Sequence, residues 1–475
     1  MDLQLKARVE QWFEAHRSEL VDELMQLVAI PSITRYGEEG FPYGRACHDA
    51  MNHFELLAQR MGFETERDGD HVVSAGLPID PRWKTIGLWA HLDVVPPGNG
   101  WLFEPFAPVF REGYVIGRGA DDNKSAAVGA AFLMRCLREM DIDVGCNVRV
   151  FCGCDEECGS RGVAEYASRH VCPDFSIVPD CGFPVCHGEK GIITVAFRSL
   201  RRVSGAILSL SGGVAANVIP DTAQAVLLRT PQLERLTAGR KDAEILEDRI
   251  ILTAHGTSGH AGFPVNCTNA VKVLIDTLLA DGLVCGEDAS ILRFLQDVNR
   301  DCYATALGAA MQDDVSGALT CAGTILNLDD GFPCLTANIR YCVTADGTEI
   351  HSKLSRAAQA GGYELSAFSD SAPNDFPREN PMVDALTGVY NTFTGECKAP
   401  YVMSGGTYAR QLPRALGFGI GSMQPRCPLL PQGHGGAHLP DESLHVDTWL
   451  RALAILTMGV IEAGGILAST NQKEV

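Results

Sequence analysis

The chain has 475 residues, 46% of them hydrophobic and 21% charged, an ordinary globular balance long enough for more than one core. A formal net charge of −20 makes nucleic acid and anionic membranes poor electrostatic partners. Seventeen cysteines, odd in number, scattered and preceded by no signal peptide, read as the reduced thiols of a cytoplasmic protein.

Residues 9–30 carry apolar side chains at helical spacing up to Pro31, a helix stop. Residues 71–75 and 84–90 read as strands, 125–140 as a buried helix of small apolar residues, 147–153 as a strand, 159–170 as a short helix and 175–178 as a strand. This alternation predicts an α/β fold with a mixed, mostly parallel sheet and helices on its faces. After Gly188-Glu-Lys-Gly191 the texture changes. Strand-like runs at 192–197, 206–210, 323–327 and 336–343 mix with helices at 269–279 and 348–360, an α+β pattern. Helices at 381–393 and 446–461 restore the first texture. The expected layout is a catalytic domain in two segments, 1–191 and 376–475, interrupted by an α+β lid domain at 192–375, long enough for two small subdomains. No uninterrupted apolar run reaches the roughly 20 residues of a membrane span. The longest, around 452–467, is broken by Glu462 and Gly464-Gly465.

The chemistry gathers where apolar runs end. Strand 84–90 leads into His91-Leu-Asp93, strand 147–153 into Asp155-Glu156-Glu157, and strand 175–178 into Pro179-Asp180. Gly117-Arg-Gly-Ala-Asp-Asp122-Asn-Lys124 opens a helix, and His438 stands in His438-Leu-Pro-Asp-Glu442. Ligands of open α/β sheets collect at the carboxyl ends of strands, so distant residues can meet in one crevice. Hard oxygen and imidazole donors gathered there indicate divalent metal, two ions on this count. His91 would bind and Asp93 would fix its ring. A carboxylate at a helix start can bridge two ions, although Asp also caps helices there. Of the adjacent Glu156 and Glu157, one can bind metal while the other acts as a general base. The Gly117–Ser125 stretch is no phosphate loop: Asn123 replaces the glycine before Lys124, and Asp121-Asp122 would repel phosphate. Cys152, Cys154 and Cys158 lack the C-x2-C pairs of structural zinc.

Taken together, Gly117-Arg-Gly-x-x-Asp-x-Lys124, Asp155-Glu-Glu-x-Gly159, Pro179-Asp180, Gly188-Glu-Lys-Gly191, Asn338-Ile-Arg-Tyr341 and Ser404-Gly-Gly-Thr-Tyr-Ala-Arg410 resemble one family over nearly the whole chain. It is the co-catalytic di-metal peptidases: bacterial dipeptidases, carnosinases, aminoacylases and succinyl-diaminopimelate desuccinylase. The PepV-type dipeptidases, with the related Sapep enzymes, are the nearest in motif. The resemblance implies that His91, Asp122 and Asp180 hold one ion, that Asp122 bridges, and that Glu157 and His438 complete the second. It implies Glu156 as general base, Asp93 as orienter, His260 as the lid histidine facing the oxyanion, and Arg340 as the grip on the substrate carboxylate. Asn217, Gly405 and Gly406 would touch substrate. Zinc is the first expectation, with manganese and cobalt compatible. Free dipeptides are the implied substrates, an N-acyl or succinyl amidohydrolase the alternative. A long lid supplying its own His260 implies a monomer, with a homodimer as the alternative. Asn123, Ser125 and Cys154 depart from the family pattern and bear on metal preference and rate, not on reaction class.

Overall fold

The computed structural model describes residues 2–421 and 424–471. The chain divides into two compact units: Met1–Gly188 with Phe376–Tyr401 and Gly406–Val475, and Glu189–Asp375 with Val402–Gly405.

The centre of the first unit is a mixed sheet in the order Glu64–Asp68, Val72–Gly76, Asn147–Gly153, Thr85–His91, Phe175–Val178, Ala415–Gly417. Its middle strands are parallel: Thr85–His91 pairs with both Asn147–Gly153 and Phe175–Val178, which in turn pairs with Ala415–Gly417. Strands buried on both faces read as continuous apolar runs, as Ile86–Ala90 does. On one face lie the helices Leu3–Ala15, Arg17–Val28, Arg45–Arg60, Lys124–Glu139, Pro381–Thr394 and Val446–Asn471, sharing one core. On the other, Trp89 stacks on Phe151 with ring centroids 4.3 Å apart, in a smaller core with Val163 and Tyr408.

One expectation needs correction. The single helix at 9–30 is two, because the chain leaves helical geometry at His16 (φ −103°, ψ 10°), whose Nδ1 donates to the Trp12 carbonyl oxygen at 2.8 Å. The apolar period runs through both pieces, so the break carries no periodicity signal. Helix Val446–Asn471, which holds the interrupted apolar run around 452–467, is by length and composition alone long and apolar enough to cross a bilayer. Its apolar window is 67% buried within the protein, as suits a core helix.

The second unit is built on one antiparallel eight-stranded sheet, ordered Ala243–Ile245, Arg249–His255, Thr222–Leu228, Ile207–Gly212, Thr320–Asp329, Phe332–Tyr341, Gly191–Ser199, Tyr363–Ser371. Burial alternates strictly along Gly191–Ser199, which buries one face. Helices Ala270–Ala280, Gly286–Val298 and Gly347–Gly361 contribute to its core. The sheet has two halves that meet only at Ser211↔Asn327 and Gly212↔Leu326, so an α+β unit with two lobes shares one sheet.

Candidate active site

Five segments of the first unit bring their acids and histidines together. His91 ends its strand opposite Gly153, the last residue of the neighbouring parallel strand. The two turns that follow are therefore adjacent. His91 Nε2 lies 3.0 Å from Asp122 Oδ1 and 3.7 Å from Asp180 Oδ2. His438 Nε2 lies 3.1 Å from Asp122 Oδ2 and 3.0 Å from Glu157 Oε1. Asp122 thus stands between two imidazoles, one on each carboxylate oxygen. Two overlapping sets, His91–Asp122–Glu157 and His91–Glu156–Asp180, each offer ligand atoms within 4.8 Å of one another. Oxygen and imidazole donors at this density fit divalent ions.

Asp93 sits beneath this cluster, fully buried. Its carboxylate accepts the backbone N–H groups of Glu156 and Glu157, each at 3.1 Å, and its backbone oxygen lies 2.9 Å from His91 Nδ1. Asp93 therefore braces the Glu156-Glu157 turn as well as the His91 ring, a second task the sequence reading had not assigned. Asn123, joined to Asp122 by a cis peptide, donates from Nδ2 to Asp180 Oδ1 at 2.9 Å.

Glu442 is the residue that the sequence reading passed over. It is fully buried; its Oε1 accepts the N–H groups of Gly119, Asp121 and Asp122, and its Oε2 pairs with Arg118 at 2.6 Å. It holds the turn that aims Asp122. Next to it, Asp441 takes His434 Nδ1 at 2.6 Å. That contact leaves His438 as the histidine of this segment that reaches the acids.

The remaining expected residues, apart from Gly406, belong to the second unit and cluster there. Val218 pairs with His260, and Ala261 N–H donates to Asn217 O at 2.8 Å. Arg340, buried, donates from Nη1 to Ser404 O and from Nε to Asn338 Oδ1. A Cβ at Gly262 would stand 2.9 Å from His260 Nδ1 and 3.2 Å from the Ser404 Cβ, so His260 and the Ser404-Gly405 turn are neighbours. Gly406 belongs to the first unit, where a side chain would run into the Arg410 guanidinium.

The pattern of the peptidase family M20/M25/M40 matches residues 87–461. The chain belongs to this family. Among M20 relatives, YtjP of Bacillus subtilis (strain 168) is 30% identical over 470 residues, covering 94% of this chain and 97% of YtjP. A beta-Ala-Xaa dipeptidase of Lactobacillus delbrueckii subsp. lactis is 28% identical over 481 residues, covering 97% and 98%. Human carnosine dipeptidase 1 shares the fold, with a TM-score of 0.59 at 15% identity over 97% of this chain and 99% of that one. Dug1p of Saccharomyces cerevisiae does so equally, at 0.59 and 14% over 97% and 98%.

Electrostatically, this M20 peptidase holds acids that resist their own charge. Burial, followed by the charge of neighbouring carboxylates, pushes Glu157 and Asp180 above the usual carboxylate range. Burial lifts Glu156 well above it too, against the pull of His91. Burial works against the charged form of His438, yet Asp122 and Glu157 outweigh it and push its pKa up to about 11. Asp122 is the exception: burial opposes its ionisation, but hydrogen bonds from His438 and His91 hold it far below its ordinary value. Cations would relieve the mutual repulsion of the other acids, so the residues fit the metal reading.

Proposed function

We propose that this M20 peptidase hydrolyses the peptide bond of free dipeptides with two divalent ions, zinc before manganese or cobalt. The observation that carries the reading is Asp122 held between His91 and His438, with Glu157 and Asp180 beside them. In this reading His91, Asp122 and Asp180 hold one ion, and Asp122, Glu157 and His438 the other. When bound, the ions supply Lewis acidity and lower the pKa of water. Glu156 takes the proton from the attacking water and later hands it to the leaving amine. Burial suits it, because a raised pKa lets a carboxylate accept a proton near neutrality and give it up again. Asp93 keeps Glu156 in place through the backbone. His260 donates to the developing oxyanion. Arg340 grips the substrate carboxylate, which would demand a free carboxyl one residue past the scissile bond, and Asn217, Gly405 and Gly406 complete the contacts. The name of the Lactobacillus relative supports a dipeptide substrate. With its own His260 the protein works as a monomer, and its acidic, thiol-rich composition suits the cytoplasm.

The test uses metal-stripped protein reloaded separately with zinc and manganese, assayed on free dipeptides, their N-acetylated forms and tripeptides. Metal-restored cleavage of free dipeptides alone is the expected result. Cleavage of the acylated compounds alone would make the protein an amidohydrolase.

A further inference from the structure

The segment that follows the first helices places three hydroxyls, at Ser32, Thr34 and Tyr36, on the two turns that carry the site. Ser32, fully buried, donates from Oγ to Leu92 O at 2.6 Å, and its own carbonyl accepts Val94 N–H at 3.0 Å. The His91-Leu-Asp93 turn is therefore clasped on both sides of Asp93. Thr34 Oγ1 donates to Asp93 Oδ2 at 3.2 Å, on the oxygen that also receives Glu157 N–H. Tyr36 OH donates to Asp155 Oδ1, the residue before Glu156, and lies 3.4 Å from Cys158 O beyond the pair. The other Asp155 oxygen accepts Arg161 N–H at 2.9 Å, and the Arg161 guanidinium lies over the Tyr36 ring at 4.9 Å. Asp155 has φ +76°, a left-handed backbone rare for a residue with a side chain. Such a turn persists where several partners fix it, and here they are Tyr36 from the 32–36 segment and the N–H groups of Ser160 and Arg161.

We propose that Ser32, Thr34 and Tyr36 are positioning residues for the Glu156-Glu157 pair. Serving alternate positions of one segment, they lock the turn bearing these carboxylates to the turn bearing His91 and Asp93. None of the three lies in the acid-and-imidazole cluster. Thr34 acts through Asp93, and Tyr36 through Asp155. A misplacement of the reacting groups by about 1 Å can lower the rate roughly 100-fold, and loss of an outer hydrogen-bond partner at a metal site lowers metal affinity or activity by roughly 10–100-fold. The inference rests on the peptidase reading, because only there does the placement of Glu156 set a rate.

The experiment compares Thr34→Val, Thr34→Ser, Tyr36→Phe and the Val/Phe double variant with the wild-type protein, all loaded with zinc. Dipeptide kcat and KM, bound metal and thermal midpoint are measured for each. Thr34→Val should lower kcat about tenfold with KM within about twofold and metal content unchanged, and Thr34→Ser should restore it. Tyr36 is 47% exposed, so Tyr36→Phe should fold normally and still lose kcat. The double variant should fall short of the product of the two losses, because both residues act on one turn. Wild-type kcat in Thr34→Val and Tyr36→Phe would overturn the inference while leaving the peptidase reading intact. So would a loss that follows metal content or midpoint, or one that serine does not restore. A wild-type protein inactive on every dipeptide would overturn the peptidase reading itself.

Discussion

Glu156 and Glu157 are neighbours on one turn, and the proposed function gives them different tasks. Glu157 meets His438 at 3.0 Å and groups with His91 and Asp122, and Glu156 groups with His91 and Asp180. Glu156→Gln keeps the shape and removes the proposed proton acceptor. Turnover should fall by roughly 10²–10⁴-fold with both ions retained, measured as kcat beside metal content by atomic emission. Glu157→Gln should instead lose metal together with activity. If the two variants exchanged these outcomes, their roles would be reversed. Glu442 acts more remotely. Glu442→Gln leaves the Arg118 charge buried without its counter-ion, and breaking a buried pair in this way costs about 3–5 kcal/mol. Chemical denaturation should show that loss, and activity should fall with it as the Asp122 turn loosens. His91, Glu156, Glu157 and Asp180 were readable because each follows an apolar strand, and Asp122 because it precedes a buried helix, whereas His438 stands in a turn and was read from the family resemblance. Glu442 was not, although it stands four residues after His438 in a quoted motif. Its partners are backbone N–H groups more than 300 positions away, and a sequence carries no mark of which carboxylate will receive them. The same holds for Thr34 and Tyr36.

At the scale of elements, helix Lys124–Glu139 sets the Asp122 turn in place, and its depth explains its composition. Nearly every residue from Lys124 to Met134 is buried, so small side chains are needed on all sides. The Lys124 ammonium is buried too, and donates to Leu27 O and Ile30 O at the end of helix Arg17–Val28. Gly129 faces Leu453 of the C-terminal helix so closely that a Cβ would overlap the leucine Cδ2. Alanine favours a helix over glycine by up to about 1 kcal/mol, but forced contact in a packed core costs about 1–3 kcal/mol. The steric effect is the larger, so Gly129→Ala should lower stability by up to about 2 kcal/mol net, and urea denaturation decides it. Parallel strands and this helix were legible because burial on all sides leaves unbroken apolar runs. Helix Arg45–Arg60 was missed: its buried stripe of Cys47, Ala50, Met51, Phe54, Leu57 and Ala58 is interleaved with Arg, His, Asp, Asn and Glu. In the second unit, Thr222–Leu228 and Arg249–His255 alternate buried with exposed positions over only seven residues each, a weak signal beside polar loops.

At the scale of the molecule, each unit has its own large core, and the acid-and-histidine cluster belongs wholly to the first. Metal removal should therefore act locally and depend on pH. Without ions, Glu156, Glu157 and Asp180 bind protons more tightly than in the unfolded chain, so the stability they contribute falls as pH rises through their raised values. His91 and His438, also raised, lose theirs in the same direction, from an ordinary value near 6.5 upward. Asp122, depressed, loses stability only in strong acid and contributes no slope above pH 6. Between pH 6 and 9 the metal-free first unit should thus weaken steadily. Ion binding runs the opposite way, because deprotonated ligands bind better as pH rises. The difference in thermal midpoint between loaded and stripped protein should widen from pH 6 to pH 9. Hydrogen exchange should locate the difference: stripping should speed exchange in Asn147–Gly153 and Lys124–Glu139 and leave Phe332–Tyr341 unchanged. A midpoint difference that stayed constant with pH, or exchange that rose equally in both units, would mean that the ions bind elsewhere than at Asp122 and its neighbours.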